Sequence, residues 1–279
     1  STYYSVNLNK VQTDDARNYN LNDYLNGTAV VSGQPISTFY SYKFLGLNPQ
    51  NGAPMFDDWE DRWHLLQGKT LDEVVPMILV NSGTRDPKFS GDLNNTFTYK
   101  NWSLSLNFSY SLGSKVRLFE MYGPIINGIS AAANVREEFL DRWQVPGDEK
   151  YTVYPLIISP SSPDYEHYRL HYSAPQRAVG PNSGVPAFAN NVWQMYDDSD
   201  LRVVSGNYLK LQSLSFSYRL NDRLLRKTPF TQLSISFNTH NCFTISAKEL
   251  RGQDPSQAGF ADAGLSIRPS YTIGLNVSF

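Results

Sequence analysis

Between Trp102 and Leu112 the chain alternates without a break: Trp102, Leu104, Leu106, Phe108, Tyr110 and Leu112 interleave with Ser103, Ser105, Asn107, Ser109 and Ser111. A period of two is that of a β-strand, so the pattern predicts an extended segment with one apolar face and one polar face. The last twelve residues, RPSYTIGLNVSF, repeat it, with Tyr271, Ile273, Leu275, Val277 and Phe279 against Ser270, Thr272, Gly274, Asn276 and Ser278. In a soluble sheet the apolar face looks at a core; in a transmembrane barrel it looks at lipid, and small polar groups line the lumen. The polar faces here are nearly all Ser and Asn, where a solvent-facing sheet more often shows Lys, Glu and Thr. That choice favours the barrel.

Composition agrees. Aromatic residues make up 14% of the 279, yet mean hydropathy is -0.41, a combination that suits alternating strands. No apolar run approaches the ~18 residues of a membrane-spanning helix. A net charge of -2 and a pI near 6.1 give no basic footprint for nucleic acid. The single cysteine, Cys242, excludes an internal disulfide framework and reads as a small packed side chain. No charged and apolar leader opens the chain at Ser1, so an export signal is expected to have been removed or to lie upstream.

Eight strands are predicted, over residues 2–11, 36–47, 53–59, 88–99, 102–113, 207–219, 231–245 and 268–279, with a turn from Leu47 to Ala53. Their connections alternate long and short. All short ones therefore fall on one side, read as periplasmic, and the long ones on the other, read as extracellular. Residues 59–80 read as an ordered loop with a partly helical pattern interrupted at Gly68 and Pro76. Residues 114–206 read as irregular apart from one helix in ANVREEFLDRW. The fold class is thus all-β, a transmembrane antiparallel β-barrel with long extracellular loops, residues 1–279 forming part of one barrel domain.

The candidate binding residues are loop aromatics: Trp59, Trp63, Trp143, Trp193 and the tract YEHYRLHY, which includes Tyr168. Their rings suit stacking on sugars, or alternatively packing of the loops themselves. His167 and His171 have helical metal-ligand spacing, but Glu166 precedes the pair and nearby prolines argue against a helix. Asp197, Asp198 and Asp200 could offer oxygens to calcium but lack the regular loop of a dedicated site, so no metal and no cofactor is expected. Glu137, Glu138 and Asp141 read as surface charge. Arg223, Arg226 and Lys227 occupy a short turn, facing either water or lipid headgroups. No nucleophile elbow, P-loop or dinucleotide motif occurs, so no catalytic residue is expected.

Several blocks together resemble the C-terminal barrel region of SusC-like TonB-dependent transporters, the SusC/RagA family of the Bacteroidetes outer membrane. They are GQPISTFYSYKFLGLNPQNGAPMF from Gly33, DPKFSGDLNNTFTYKNWSLSLNFSYSLG from Asp86, SDLRVVSGNYLKLQSLSFSYRL from Ser199, HNCFTIS from His240, RGQDPSQAG from Arg251 and the terminal strand. Where such proteins usually carry Asn-Leu-Phe, this chain has Asn241, Cys242 and Phe243. The resemblance implies the C-terminal strands of a plugged barrel of about 22 strands, the plug and earlier strands lying outside this sequence. It further implies TonB-driven import of oligosaccharides or peptides, a SusD-like lipoprotein lid, contact with the TonB complex through the plug, and a dimer of transporter–lid pairs as one assembly. From the residues alone, a passive structural or adhesive barrel, or thirdly a barrel enzyme, stays open.

Overall fold

The computed structural model describes residues 1–12, 19–57, 60–125, 135–157, 161, 165–170, 184–186, 189, 191–257 and 268–279. Among them run twelve strands: β1 (Thr2–Val6), β2 (Thr38–Tyr42), β3 (Phe44–Leu47), β4 (Pro54–Phe56), β5 (Leu79–Thr84), β6 (Phe89–Tyr99), β7 (Trp102–Leu112), β8 (Lys115–Arg117), β9 (Val203–Ser205), β10 (Tyr208–Arg219), β11 (Gln232–Ser246) and β12 (Ser270–Ser278). They form a six-stranded sheet in the order β1-β6-β7-β10-β11-β12 and three pairs, β2-β5, β3-β4 and β8-β9. The chain divides into two compact units: Ser1–Leu8, Asp86–Val116 and Ser205–Phe279 in one, Asn9–Arg85 and Arg117–Val204 in the other.

The first unit is the six-stranded sheet, antiparallel throughout and open, with β1 and β12 at its edges. Its register carries the alternation seen in single strands across the sheet, with Asn95 and Thr239 as polar exceptions on the apolar side. Tyr99 pairs with Trp102, Trp102 with Tyr218, Tyr218 with Ile235 and Ile235 with Leu275, so one side is apolar from strand to strand. On the other side Thr96 faces Ser105, Ser105 faces Ser215, Ser215 faces Asn238 and Asn238 faces Thr272. The apolar side is not covered: Ile273 is 79% exposed, Leu275 63% and Phe97 59%. A contiguous apolar surface of this extent calls for a partner or a lipid phase. β6 and β7 have 11 residues each and β10 has 12, enough for a tilted strand to cross a bilayer, which takes about 9–11.

One irregularity keeps the faces consistent. In β10 the apolar positions are Leu209 and Leu211, then Leu214, Phe216 and Tyr218, so the phase slips by one residue. A bulge between Leu211 and Ser213 absorbs the extra residue, Gln212, against β7, and β11 in turn sets two residues, Asn241 and Cys242, opposite Gln212. Without it, the lower half of β10 would turn its leucine and aromatic side chains to the polar face. On β11 the same level carries Asn241 with φ 54°, a left-handed conformation that Asn tolerates better than most residues.

The predicted strands 36–47 and 53–59 are not in this sheet, which therefore holds six of the eight. The first breaks at Lys43 into β2, paired with β5, and β3, paired with β4 across a turn where sequence placed it. The reason is burial. All five residues of β2 are buried, so neither face is available to lipid or lumen. The displaced pair is a complete hairpin, and removing it leaves the alternation of connections unchanged. Lys100–Asn101 and 220–231 join strands at one end of the sheet, and 7–88, 113–207 and 247–269 join them at the other.

The second unit builds its own core from Tyr42, Phe56, Trp63, Leu66, Val74, Val75, Tyr122, Phe139, Trp193 and Tyr196, among others. The stretch 59–80 contributes a 3-10 turn, Glu60–Leu65, and an α-helix, Leu71–Ile78. Gly68, at φ 71°, separates them as expected. Pro76 does not interrupt: it sits inside the helix, whose start is fixed by Glu73 accepting the Thr70 backbone N–H at 2.8 Å. In ANVREEFLDRW the described part is a 3-10 turn, Glu137–Asp141, shorter than the helix expected. Glu138 there is buried and paired with Arg136 at 2.7 Å, a correction to its reading as surface charge. Tyr165–Leu170 is helical despite the surrounding prolines.

Candidate functional site

On the polar face of the sheet a lysine is paired across the strands with Ser109 and Thr244. Lys210 is buried, and its Nζ donates to Asp254 Oδ2 at 3.0 Å and to Ser256 Oγ at 3.4 Å. Asp254 Oδ1 accepts the Ser256 backbone N–H at 2.9 Å and its hydroxyl at 2.6 Å, which closes a turn over the strand. A cavity of about 310 Å³ beside this pair is lined by Asn241, Cys242, Thr244, Gly252 and Gln253, with Cys242 Sγ 3.1 Å from Thr239 Oγ1. The pair thus pins part of the 247–269 connection onto the polar face.

In the second unit the three aspartates read as a calcium candidate go separate ways. Asp197 accepts backbone N–H groups from Met121 (2.8 Å), Tyr122 (2.8 Å) and Gly123 (2.9 Å). Asp198 lies 4.0 Å from Arg117, and Asp200 binds Lys43 at 2.7 Å and the Phe44 N–H at 3.0 Å. No group of three or more metal-ligating side chains occurs among the described residues. The acidic run is a set of three structural seats. Arg117 donates further to the carbonyls of Leu25 and Tyr40 and to Ser41 Oγ, at 3.1, 2.9 and 3.0 Å. Arg202, fully buried, donates to Phe119 O at 2.5 Å and lies over the Tyr196 ring at 5.9 Å.

A cavity of about 240 Å³ opens beside Asp198, walled by Leu21, Leu25, Leu71 and Met195 and edged by Asn20 and Gln194. Burial drives the Asp198 carboxyl up to about 7; Arg117 pulls it down, while Asp197 and Glu120 add to the rise. Burial also raises Asp254, but the Ser256 hydroxyl and Lys210 outweigh it and hold that carboxyl below its usual range.

The two carboxyls have opposite pH signatures. Between an unfolded value of about 3.9 and a folded value of about 7, folded Asp198 keeps a proton that the unfolded chain lacks. Stability of its unit therefore rises as pH falls from 7 to 4, by at most about 4 kcal/mol at ~1.4 kcal/mol per unit. The Asp254 seat is fully formed above the unfolded value and is lost only as pH falls through the depressed folded value. Hydrogen exchange of the Ser256 amide should stay protected at pH 5 and open in more acid solution, whereas Asp198→Asn should flatten the pH 4–7 stability slope.

The loop aromatics are placed as follows. Trp63, Trp143 and Trp193 are buried, each 3–4% exposed. Trp193 stacks on Tyr165 with centroids 5.9 Å apart and meets Tyr168 edge-on at 6.3 Å, while its Nε1 donates to Leu156 O at 3.4 Å. Tyr168 is half-buried and accepts a short hydrogen bond from Asn51 Nδ2. The Trp143 ring lies against Gly52, and its Nε1 reaches Glu149 at 3.4 Å. Structure thus brings Tyr168 and Trp193 together, with Trp143 attached to the neighbouring 48–53 turn. Trp59, and His171 and Tyr172 at the end of the tyrosine-rich tract, lie outside the described residues.

Gly52 has φ +67°, and a Cβ there would sit 2.4 Å from the Trp143 ring. Gly52→Ala should cost about 2–4 kcal/mol from left-handed strain and overpacking together. A red shift of tryptophan emission and a lower unfolding midpoint would register it.

The sequence signal for the buried and half-buried cations was slight but present. Arg117 sits in VRLF, Arg202 in LRVV and Lys210 in LKL, each a lone charge in an apolar setting. The Asp197 seat had none, because its partners are backbone groups.

An antiparallel sheet with one uncovered apolar face, one Ser/Asn face and connections alternately short and long defines the class of fold. Comparison with known proteins narrows it. No protein-family model matches the chain. It is 23% identical, over an alignment of 269 residues, to TonB-dependent receptor P3 of Formosa agariphila, covering 88% of this chain and 22% of that protein. Its fold is similar to part of the RagAB peptide transporter, with TM-score 0.56 and 15% identity over 90% of this chain and 24% of that one. The RagAB peptide importer in its open-open state gives 0.55 and 17%, over 90% and 23%. The chain spans less than a quarter of the length of each of these relatives.

Proposed function

We propose that this chain is the C-terminal part of a TonB-dependent outer-membrane nutrient importer of the SusC/RagA type. The observation that carries the reading is the two-faced sheet: an apolar side open to its surroundings and a Ser/Asn side, held in register across six strands. In the proposal the apolar side meets lipid, the polar side faces a water-filled lumen, and the sheet is a segment of a barrel of about 22 strands. Likeness to TonB-dependent receptor P3 and to the RagAB transporter supports it. The long connections emerge on the extracellular side and hold a SusD-like lipoprotein lid, and the TonB complex acts through a plug encoded elsewhere in the parent protein. The cargo is an oligosaccharide or a peptide, and transporter–lid pairs associate as dimers. Tyr168 and Trp59 are the aromatics proposed to touch cargo, with Trp63, Trp143 and Trp193 supporting that surface through packing.

The test is uptake by cells carrying or lacking the parent gene, supplied with labelled oligosaccharides or peptides, with and without a protonophore. Import that depends on the gene and collapses with the protonophore is expected. Gene-dependent import that persists without an energised inner membrane would make the protein a passive pore.

A further inference from the structure

The short-connection end of the sheet carries a row of aromatic rings and, just past it, a group of cations. Tyr99, Trp102 and Tyr218 are directly paired neighbours on three successive strands of the apolar face. Trp102 packs on Tyr218 with centroids 4.1 Å apart and on Phe216 at 5.1 Å. Tyrosine and tryptophan rings, apolar in body and polar at the edge, settle where hydrocarbon gives way to headgroups. The row therefore places that boundary at this level of the sheet.

Immediately beyond it the chain turns twice. Lys100 forms the β6–β7 turn at φ 52°, its Nζ 5.2 Å above the Tyr99 ring. Asn101 ties this turn to the start of the next connection, donating from Nδ2 to Arg219 O at 2.7 Å and accepting the Arg219 N–H at its carbonyl at 2.9 Å. That connection holds the short helix Asp222–Leu225 and exposes Arg223, Arg226 and Lys227. The two short connections together carry four cations and one carboxylate, a net +3, against eighteen cations and twenty-four carboxylates, a net -6, in the long ones. Charge is thus divided between the two ends of a chain that is nearly neutral overall.

We infer that Arg223, Arg226, Lys227 and Lys100 form a binding surface for the phosphate of anionic phospholipid headgroups in the leaflet on the short-connection side. The inference rests on the membrane reading above and adds the lipid chemistry at one end. Guanidinium groups suit phosphate through paired N–H donors, and the aromatic row sets the cations at headgroup depth. Leu224, 47% exposed between the cations, offers an apolar contact to the acyl boundary.

The test uses the full parent protein in nanodiscs of mixed phosphatidylglycerol and phosphatidylcholine, with co-purifying lipid counted by native mass spectrometry. Enrichment of phosphatidylglycerol on the order of tenfold is expected, because each cation near the surface favours anionic lipid and the cations compete for the same few headgroups. Arg223→Gln/Arg226→Gln/Lys227→Gln should bring it close to unity, and the charge-matched Lys10→Gln/Lys150→Gln/Lys248→Gln in the long connections should not. Enrichment kept by the first variant, or lost equally in both, would overturn the inference while leaving the transporter reading intact. Failure of the wild-type protein to incorporate into nanodiscs at all would instead count against the membrane reading, and the inference would fall with it.

Discussion

Replacing Asp197 with alanine should destabilise the loop unit by about 3–5 kcal/mol, the range for breaking a buried charged cluster. The carboxylate accepts three backbone N–H groups, from Met121, Tyr122 and Gly123, all within 2.9 Å. Alanine would leave those donors buried with no acceptor, at about 1–3 kcal/mol each before any relaxation. Burial pushes the Asp197 carboxyl above its ordinary value while Arg202 pulls it back down, so alanine would also take away the acidic partner of that buried cation. Asp197→Asn should cost less, since one carbonyl oxygen remains to accept. Four of the five tryptophans, Trp59, Trp63, Trp143 and Trp193, lie in segments assigned to this unit. Tryptophan fluorescence during denaturation in detergent therefore reports on it, and the transition should move for Asp197→Ala while the sheet's circular dichroism holds. An unchanged midpoint would mean that these N–H groups find other acceptors.

The second large effect separates the faces of the sheet. Phe237 and Ser236 are neighbours on β11; Phe237 pairs with Phe216 and Ile273 on the apolar side, Ser236 with Ser217 and Gly274 on the polar side. If the apolar side meets lipid, Phe237→Arg should cost about 2–4 kcal/mol near the bilayer midplane, while a lumen-facing arginine at Ser236 should cost far less. Equilibrium unfolding of the parent protein from lipid vesicles would measure both. Equal costs would remove the distinction between faces on which the transporter account depends.

Much of the sheet was legible because a period of two survives in the sequence wherever one face is apolar and the other wet. β7 and β12 were readable residue by residue. The slip in β10 was legible too, since Leu211 and Leu214 stand three apart in a strand that otherwise repeats every two. The stretch 36–56 misled for a physical reason: Phe39, Tyr40, Tyr42 and Phe44 have the aromatic content of a membrane strand, but Phe39 and Tyr40 are adjacent, and both faces of β2 are buried in a loop core. Such a core is assembled from two excursions far apart in the chain, so its seats leave little local trace. Asp197 meets Tyr122 from 75 residues away, through a backbone group that any residue would supply. The loop tryptophans show the same limit, because an aromatic in a long connection looks identical in sequence whether it stacks on cargo or fills a core.

The most direct test is made on the terminal strand. In a Cys242→Ser background, single cysteines at Tyr271, Thr272, Ile273, Leu275 and Asn276 of the parent protein would be spin-labelled in lipid vesicles. Collisions with oxygen and with a water-soluble nickel chelate would then be compared. Oxygen contact should dominate at Tyr271, Ile273 and Leu275, and nickel contact at Thr272 and Asn276. Labels at Ile273 and Leu275 that meet the nickel chelate freely, or that are shielded from both reagents, would show that this face does not look at lipid.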